Sequence, residues 1–134
     1  MSALLMVVSP FPSVELSTNG TFASDTGWTK GAGWTIASGV ASHAGENATY
    51  IQQSITLSVG GVYRIVFTVS NYVSGASLCA LLSVTTVQGT ARSANVTYTE
   101  DLTAVTGNDA VGFYGSSGPI GVFDIDNVSL VRIA

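Results

Sequence analysis

The sequence predicts an all-β fold, an antiparallel sandwich of two sheets, and three observations predict it. The stretch VYRIVFTV at 62–69 sets Tyr63, Ile65, Phe67 and Val69 against Arg64, Val66 and Thr68, the period of two that gives a sheet one buried face. Breaks rich in Gly, Ser or Asn recur at short, fairly regular intervals along the chain, as they do in sandwiches and barrels. No window carries the 3.6-residue apolar stripe of an amphipathic helix.

The elements follow in order. Residues 1–13 read as an extended apolar arm, with Ala3, Leu4, Leu5, Met6, Val7, Val8 and Phe11 as its contact residues. Pro10 and Pro12 prevent a smooth join to the first strand of the body. An apolar arm left in water is an aggregation hazard, so it is expected to dock on a partner or on its own domain. The body occupies 14–134. It begins with LSTNGTFASDTGW at 16–28, where Asn19-Gly20 is a tight-turn dipeptide and Phe22 and Trp28 stand alone among small polar residues. Strands are then predicted for WTIA from Trp34, TYIQQSITL from Thr49, VYRIVFTV, SLCALLSVTTV, NVTYT from Asn95, AVGFY from Ala110, GVFDI from Gly121 and NVSLVRI from Asn127. In SLCALLSVTTV the inward set is Leu78, Ala80, Leu82 and Val84. The apolar parity switches near Ile125-Asp126-Asn127, which predicts either a β-bulge or a strand buried on both faces.

Composition narrows the function. The chain has 134 residues, one domain by length. Charged residues make up 9%, against roughly 25% in an ordinary soluble domain, so Ser, Thr, Gly and Asn or another protein must cover much of the surface. A net charge of −4 with four scattered cations, Lys30, Arg64, Arg92 and Arg132, builds no basic patch for nucleic acid. The apolar opening at 3–8 is far shorter than the ~20 residues of a membrane span and lacks the charged flank of a secretion signal. The single cysteine, Cys79, forms no intrachain disulfide and reads as a buried, inert thiol.

Read together, Leu16 to Phe22 with Asn19-Gly20, Gly27-Trp28, Gly61-Val62-Tyr63-Arg64 with Phe67, and FDIDNVSL at 123–130 resemble a jelly roll of the galactose-binding-like type, as in carbohydrate-binding-module families 4 and 9. The same pattern recurs in small virion proteins of tailed phages. The resemblance covers about 14–131 and rests on the order and spacing of motifs none of which is specific alone. It implies that 19–28 is a long loop over the sandwich edge, with Phe22 and Trp28 as structural anchors. Relatives often hold a structural calcium near the first loop and last strand, where Asp126 matches the acidic position. Ala23 stands where many relatives have an acidic residue, and Glu15, Asp25 and Glu46 are the available substitutes. The resemblance also points to Trp34, Tyr50, Gln52, Tyr72, Arg92 and Tyr98 as candidate glycan-binding residues, against the plainer reading that they are sheet surface or subunit contacts.

Catalytic patterns are missing. His43, the only histidine, has no activated serine motif to serve and is expected on the surface of a short strand. Asp124 and Asp126 share strand parity, which puts their carboxylates about 7 Å apart, a separation glycosidases also use; their place in the closing motif favours a structural role. Gly31-Ala32-Gly33 precedes no helix, so it is no phosphate cradle. Four N-x-S/T triplets, at Asn19, Asn47, Asn95 and Asn127, are the yield of a Ser/Thr-rich β protein. The resulting expectation is a non-enzymatic virion structural protein on the outer surface of a tailed-phage particle. It would be a capsid decoration or cement protein bound to the major capsid protein or another virion protein, homo-oligomeric, with no nucleic acid, membrane or obligatory cofactor. The alternative is a carbohydrate-binding module or lectin-like adhesin.

Overall fold

The computed structural model describes residues 11–44, 49–73, 76–83, 89–117 and 122–134. The arm residues Ala3, Leu4, Leu5, Met6, Val7 and Val8 lie outside them, as do Glu46 and Val84. Nine strands are described: β1 Thr29–Lys30, β2 Trp34–Ala37, β3 Val40–Ala44, β4 Thr49–Ser54, β5 Val62–Ser70, β6 Ala76–Leu81, β7 Thr97–Thr103, β8 Ala110–Ser117 and β9 Val122–Arg132. They form two antiparallel sheets, β1-β4-β8-β6 and β2-β3-β9-β5-β7, the two-sheet sandwich that the alternation predicts.

The alternation also sorts the faces correctly. Tyr63, Ile65, Phe67 and Val69 of β5 face the core, as do Leu78, Ala80 and the following Leu82. From the opposite sheet Ile51, Val111 and Phe113 meet Phe123, Ile125 and Leu130. The edge-on contact of Phe67 with Phe113, ring centroids 5.0 Å apart, joins the two layers at their centre.

The parity change at the end of the chain is a bulge. GVFDI and NVSLVRI are one strand, β9, whose pairing with β5 slips between Val66 and Thr68. Asn127 takes a left-handed φ of 53°, which Asn tolerates better than most residues. The Asp126 carboxylate accepts the Asn127 amide at 2.7 Å, and Val128 and Leu130 return to the core. Two short strands, β1 and β3, escape the sequence patterns. β3 (VASHA) is made of small residues and is joined to β2 by the two-residue turn Ser38-Gly39, both at positive φ, as a right-twisted hairpin requires.

Residues 19–28 cross from one sheet to the other. Phe22 and Trp28 are buried, ring centroids 5.3 Å apart, and the indole N–H donates to the Asn19 carbonyl at 3.1 Å. Phe22 is itself at φ 51°, an unusual state for a bulky residue; a turn bond from its amide to the Asn19 carbonyl accompanies it. Gly20 lies flush against β9: its carbonyl accepts the Val128 amide at 2.9 Å, and a Cβ there would sit 2.0 Å from the Val128 carbonyl oxygen. Only glycine fits.

Candidate binding surface

The residues with candidate roles fall at separate places. β4 and β8 are partnered so that Tyr50 stands opposite Tyr114, Gln52 opposite Gly112 and Ser54 opposite Ala110. Ile51 and Gln53 of β4 and Val111 and Phe113 of β8 point inward, so the first set lies on the outer face of the four-stranded sheet. Directly opposed residues on one face pack side by side, and the Tyr50 and Tyr114 rings do so, centroids 5.1 Å apart and tilted by 47°. Both rings are half-buried, as is Gln52. On the next strand Cys79 is the partner of Tyr114 and Leu81 the partner of Gly112. Leu81 closes over Gly112, where a Cβ would come within 3.0 Å of its Cδ1. Among the described residues of β4, β6 and β8 this face carries no charged side chain. Burial pushes the Cys79 thiol up, with the negative Glu100 adding to the effect; it is a neutral thiol, not a reactive thiolate.

Trp34, a candidate glycan-binding residue in the sequence, is not on that face. It is 4% exposed, because β2 turns it inward onto Phe123, with centroids 5.5 Å apart. His43 corrects an expectation. Rather than lying on a surface it is wholly buried, stacked on Phe123 at 5.1 Å and edge-on to Trp34 at 5.0 Å. Its Nε2 is 3.1 Å from the Thr49 hydroxyl. Gly115 makes room for it: a Cβ there would be 2.8 Å from the imidazole.

Arg92 and Tyr98 do come together, but with each other. The guanidinium lies 4.6 Å over the Tyr98 ring, whose other neighbour is Phe67. It also lies 3.7 Å from the Glu100 carboxylate. The Arg92 backbone pairs with Leu78 at the edge of β6, while Glu100 accepts the Thr90 amide at 2.6 Å. Residues 89–92 thus tie the edge of one sheet to β7 of the other, and the Tyr98 ring already has an occupant. Tyr72 is half-buried against the core, its amide bonded to the Asn95 side chain at 2.8 Å.

Phe11 of the arm lies against its own domain, its ring 4.0 Å below the Arg132 guanidinium. The negative face of an aromatic ring attracts such a cation.

The acidic residues have structural partners. Asp124 accepts Ser42 Oγ at 2.6 Å and Asn71 Nδ2 at 2.7 Å, fastening β3 to β9. Asp25 pairs with Lys30, and Asp101 with Arg64 through two nitrogens at 2.9 and 3.0 Å. Glu15 accepts the Ser17 amide and hydroxyl, the Leu130 amide and the Ser129 hydroxyl. Burial raises its pKa, but the bonds from Ser129, Ser17 and Leu130 together outweigh burial and hold the carboxyl below its ordinary value. Among the described residues no three His, Cys, Asp or Glu side chains converge as metal ligands.

Two residues that sequence reasoning passed over matter here. Tyr114 completes the aromatic pair; the signal was its alternation with the inward Phe113. Gln53, 8% exposed, is the clamp of the loop. Its Oε1 accepts the Thr18 amide at 2.8 Å and its Nε2 donates to Thr18 O, Thr18 Oγ1 and Gly27 O at 2.9, 3.0 and 2.9 Å. Sharing parity with Ile51 was its signal.

No protein-family model matches the chain, and no curated protein matches it. Solved structures do match in fold. The enzymatically active domain of bacteriophage CBA120 tailspike protein 4 aligns with a TM-score of 0.61 and 17% identity over 90% of this chain. The chain spans only 22% of that tailspike chain. A family 4 carbohydrate-binding module aligns with a TM-score of 0.55 and 16% identity, covering 86% of this chain and 98% of its own. The module CBM6cm-2 of Cellvibrio mixtus lichenase 5A, in complex with cellotriose, aligns with a TM-score of 0.53 and 10% identity, covering 90% and 98%. The chain has the jelly-roll sandwich of carbohydrate-binding modules.

Proposed function

We propose that this chain is a non-catalytic carbohydrate-binding module belonging to a tailed-phage particle, with the outer face of β4 and β8 as its binding surface. The observation that carries the reading is the half-exposed Tyr50–Tyr114 pair beside Gln52. Sugar rings present apolar C–H faces that stack on aromatic rings and hydroxyls that an amide can bond. The absence of charge from the described β4, β6 and β8 residues of that face favours neutral glycans. Fold likeness to carbohydrate-binding modules and to part of a phage tailspike domain supports the reading. The hydrogen-bonded state of Asp124 and the spent carboxylates of Asp101 and Glu15 support a role without catalysis, and the function invokes neither calcium nor another cofactor.

A second reading, capsid decoration, is favoured by the apolar sequence at 3–8 and by the scarcity of charge. In it the arm packs on the major capsid protein or on sibling copies at the virion surface.

The deciding experiment is a glycan array read with the wild-type chain and with Tyr50→Ala and Tyr114→Ala. Loss of about tenfold in affinity in either variant, with an unchanged near-UV spectrum, supports the binding reading. Absence of any glycan binding overturns it. Co-sedimentation with particles through a salt wash, lost on deletion of 1–10, would then favour decoration.

A further inference from the structure

The loop at 19–28 contains the chain's one Asn-Gly dipeptide, Asn19-Gly20. We propose that Asn19 is a latent self-modification site: the folded loop blocks its deamidation, and opening the loop lets the reaction run and keeps the loop open.

The chemistry needs only this chain and water. The Gly20 amide nitrogen loses its proton and attacks Cγ of Asn19; the Cγ–Nδ2 bond breaks and ammonia leaves, closing a five-membered imide. Water then opens the imide at either carbonyl and yields aspartate or isoaspartate. No Cβ on the following residue hinders the attack when that residue is glycine.

In the folded chain each moving part is tied. The leaving nitrogen, Asn19 Nδ2, donates to the Ser24 and Thr26 carbonyls, both at 2.7 Å. Attack requires rotation of the Asn19–Gly20 peptide, which would pull the Asn19 carbonyl from its two donors, the Phe22 amide at 3.1 Å and the Trp28 indole at 3.1 Å. Gly20 is also pinned to Val128 by its carbonyl bond and by contact too close for any side chain. Reaction therefore waits on local opening of the loop, whose equilibrium sets the rate.

The product cannot restore the loop. An aspartate has no N–H for Ser24 O and Thr26 O and turns a carboxylate toward two carbonyl oxygens. Isoaspartate lengthens the main chain by one carbon and displaces Gly20 from β9. Either way Phe22 and Trp28 lose the turn that seats them.

The test is peptide mass spectrometry after prolonged incubation in mildly alkaline buffer, following the mass gain of amide-to-acid exchange at Asn19. Folded wild type should convert at least about a hundredfold more slowly than the same chain in denaturant. Gln53→Ala, which frees the loop without touching Asn19, should convert faster than wild type at a temperature where its near-UV spectrum is still native. Equal rates in the folded and unfolded chains, or no acceleration in Gln53→Ala, would overturn the blocking role. Asn19→Asp reads the second half: it should shift tryptophan fluorescence to the red, and a native spectrum would show that the product still docks.

Discussion

Replacing Gln53 by alanine tests the architecture of the loop most directly. The variant removes four hydrogen bonds at once. Three of the stranded groups are oxygens of Thr18 and Gly27, exposed residues where water replaces the lost donor at small cost. The fourth is the Thr18 N–H, facing the emptied side-chain site, and an unsatisfied donor there costs about 1–3 kcal/mol. With the lost packing of the side chain the total is about 2–3 kcal/mol. At roughly 3–5 °C per kcal/mol for a chain of this length, Tm falls by about 6–15 °C. The assay is thermal unfolding, run beside Gln52→Ala one position away. Gln52 lies on the outer face, and its truncation should change stability by no more than about 0.5 kcal/mol. Gln53→Glu should also destabilise at neutral pH, because a carboxylate keeps the Thr18 N–H and can accept the Thr18 hydroxyl but opposes the Thr18 and Gly27 carbonyl oxygens. Equal effects at 52 and 53 would refute the inward parity of Gln53 and the clamp with it.

Gly20→Ala places a Cβ 2.0 Å from the Val128 carbonyl oxygen. It should destabilise by about 1–3 kcal/mol or more, read by urea denaturation with an unchanged m-value. Trp28→Ala should cost about 3–5 kcal/mol, and a variant of normal stability would remove Trp28 from the anchors. Glu15 predicts a pH dependence. Its folded pKa lies below the ordinary 4.5, so its contribution is present above that value and is lost as pH falls through the folded value. A Tm–pH profile of Glu15→Gln should accordingly be lower near neutrality and flatter on the acid side than that of the wild type.

The parts of the fold readable in the sequence are those where one physical signal acts alone. β5 buries one face, and Ile65 and Phe67 announce it by alternation; Leu78 to Leu82 are buried on both faces of the chain, so alternation there names only half of what is covered. The parity break at Asp126-Asn127 follows from the same rule, with the left-handed Asn127 choosing the bulge over a doubly buried strand. β3 stayed hidden because Ala41, Ser42 and Ala44 are too small to show a face, and one of its two partners, β9, comes from residue 122 onward. His43 was misjudged because a polar ring on a short strand reads as surface until Phe123 and Gly115 are brought beside it from the far end of the chain; the same Phe123 takes up Trp34. The Tyr50–Tyr114 pair joins residues 64 positions apart, and no local pattern predicts that pairing.

The loop at 19–28 also has a mechanical meaning. One of its attachments, Gln53, belongs to the four-stranded sheet, and the other, Val128 against Gly20, to the five-stranded sheet. The core between the sheets is held by non-directional apolar contact, which resists separation better than sliding. A load that shears one layer over the other would stretch the directional Gln53 bonds and press Gly20 against Val128, so the loop acts as a bolt through the stack. That bolt sets the direction in which the sandwich can be pulled hardest before it slips.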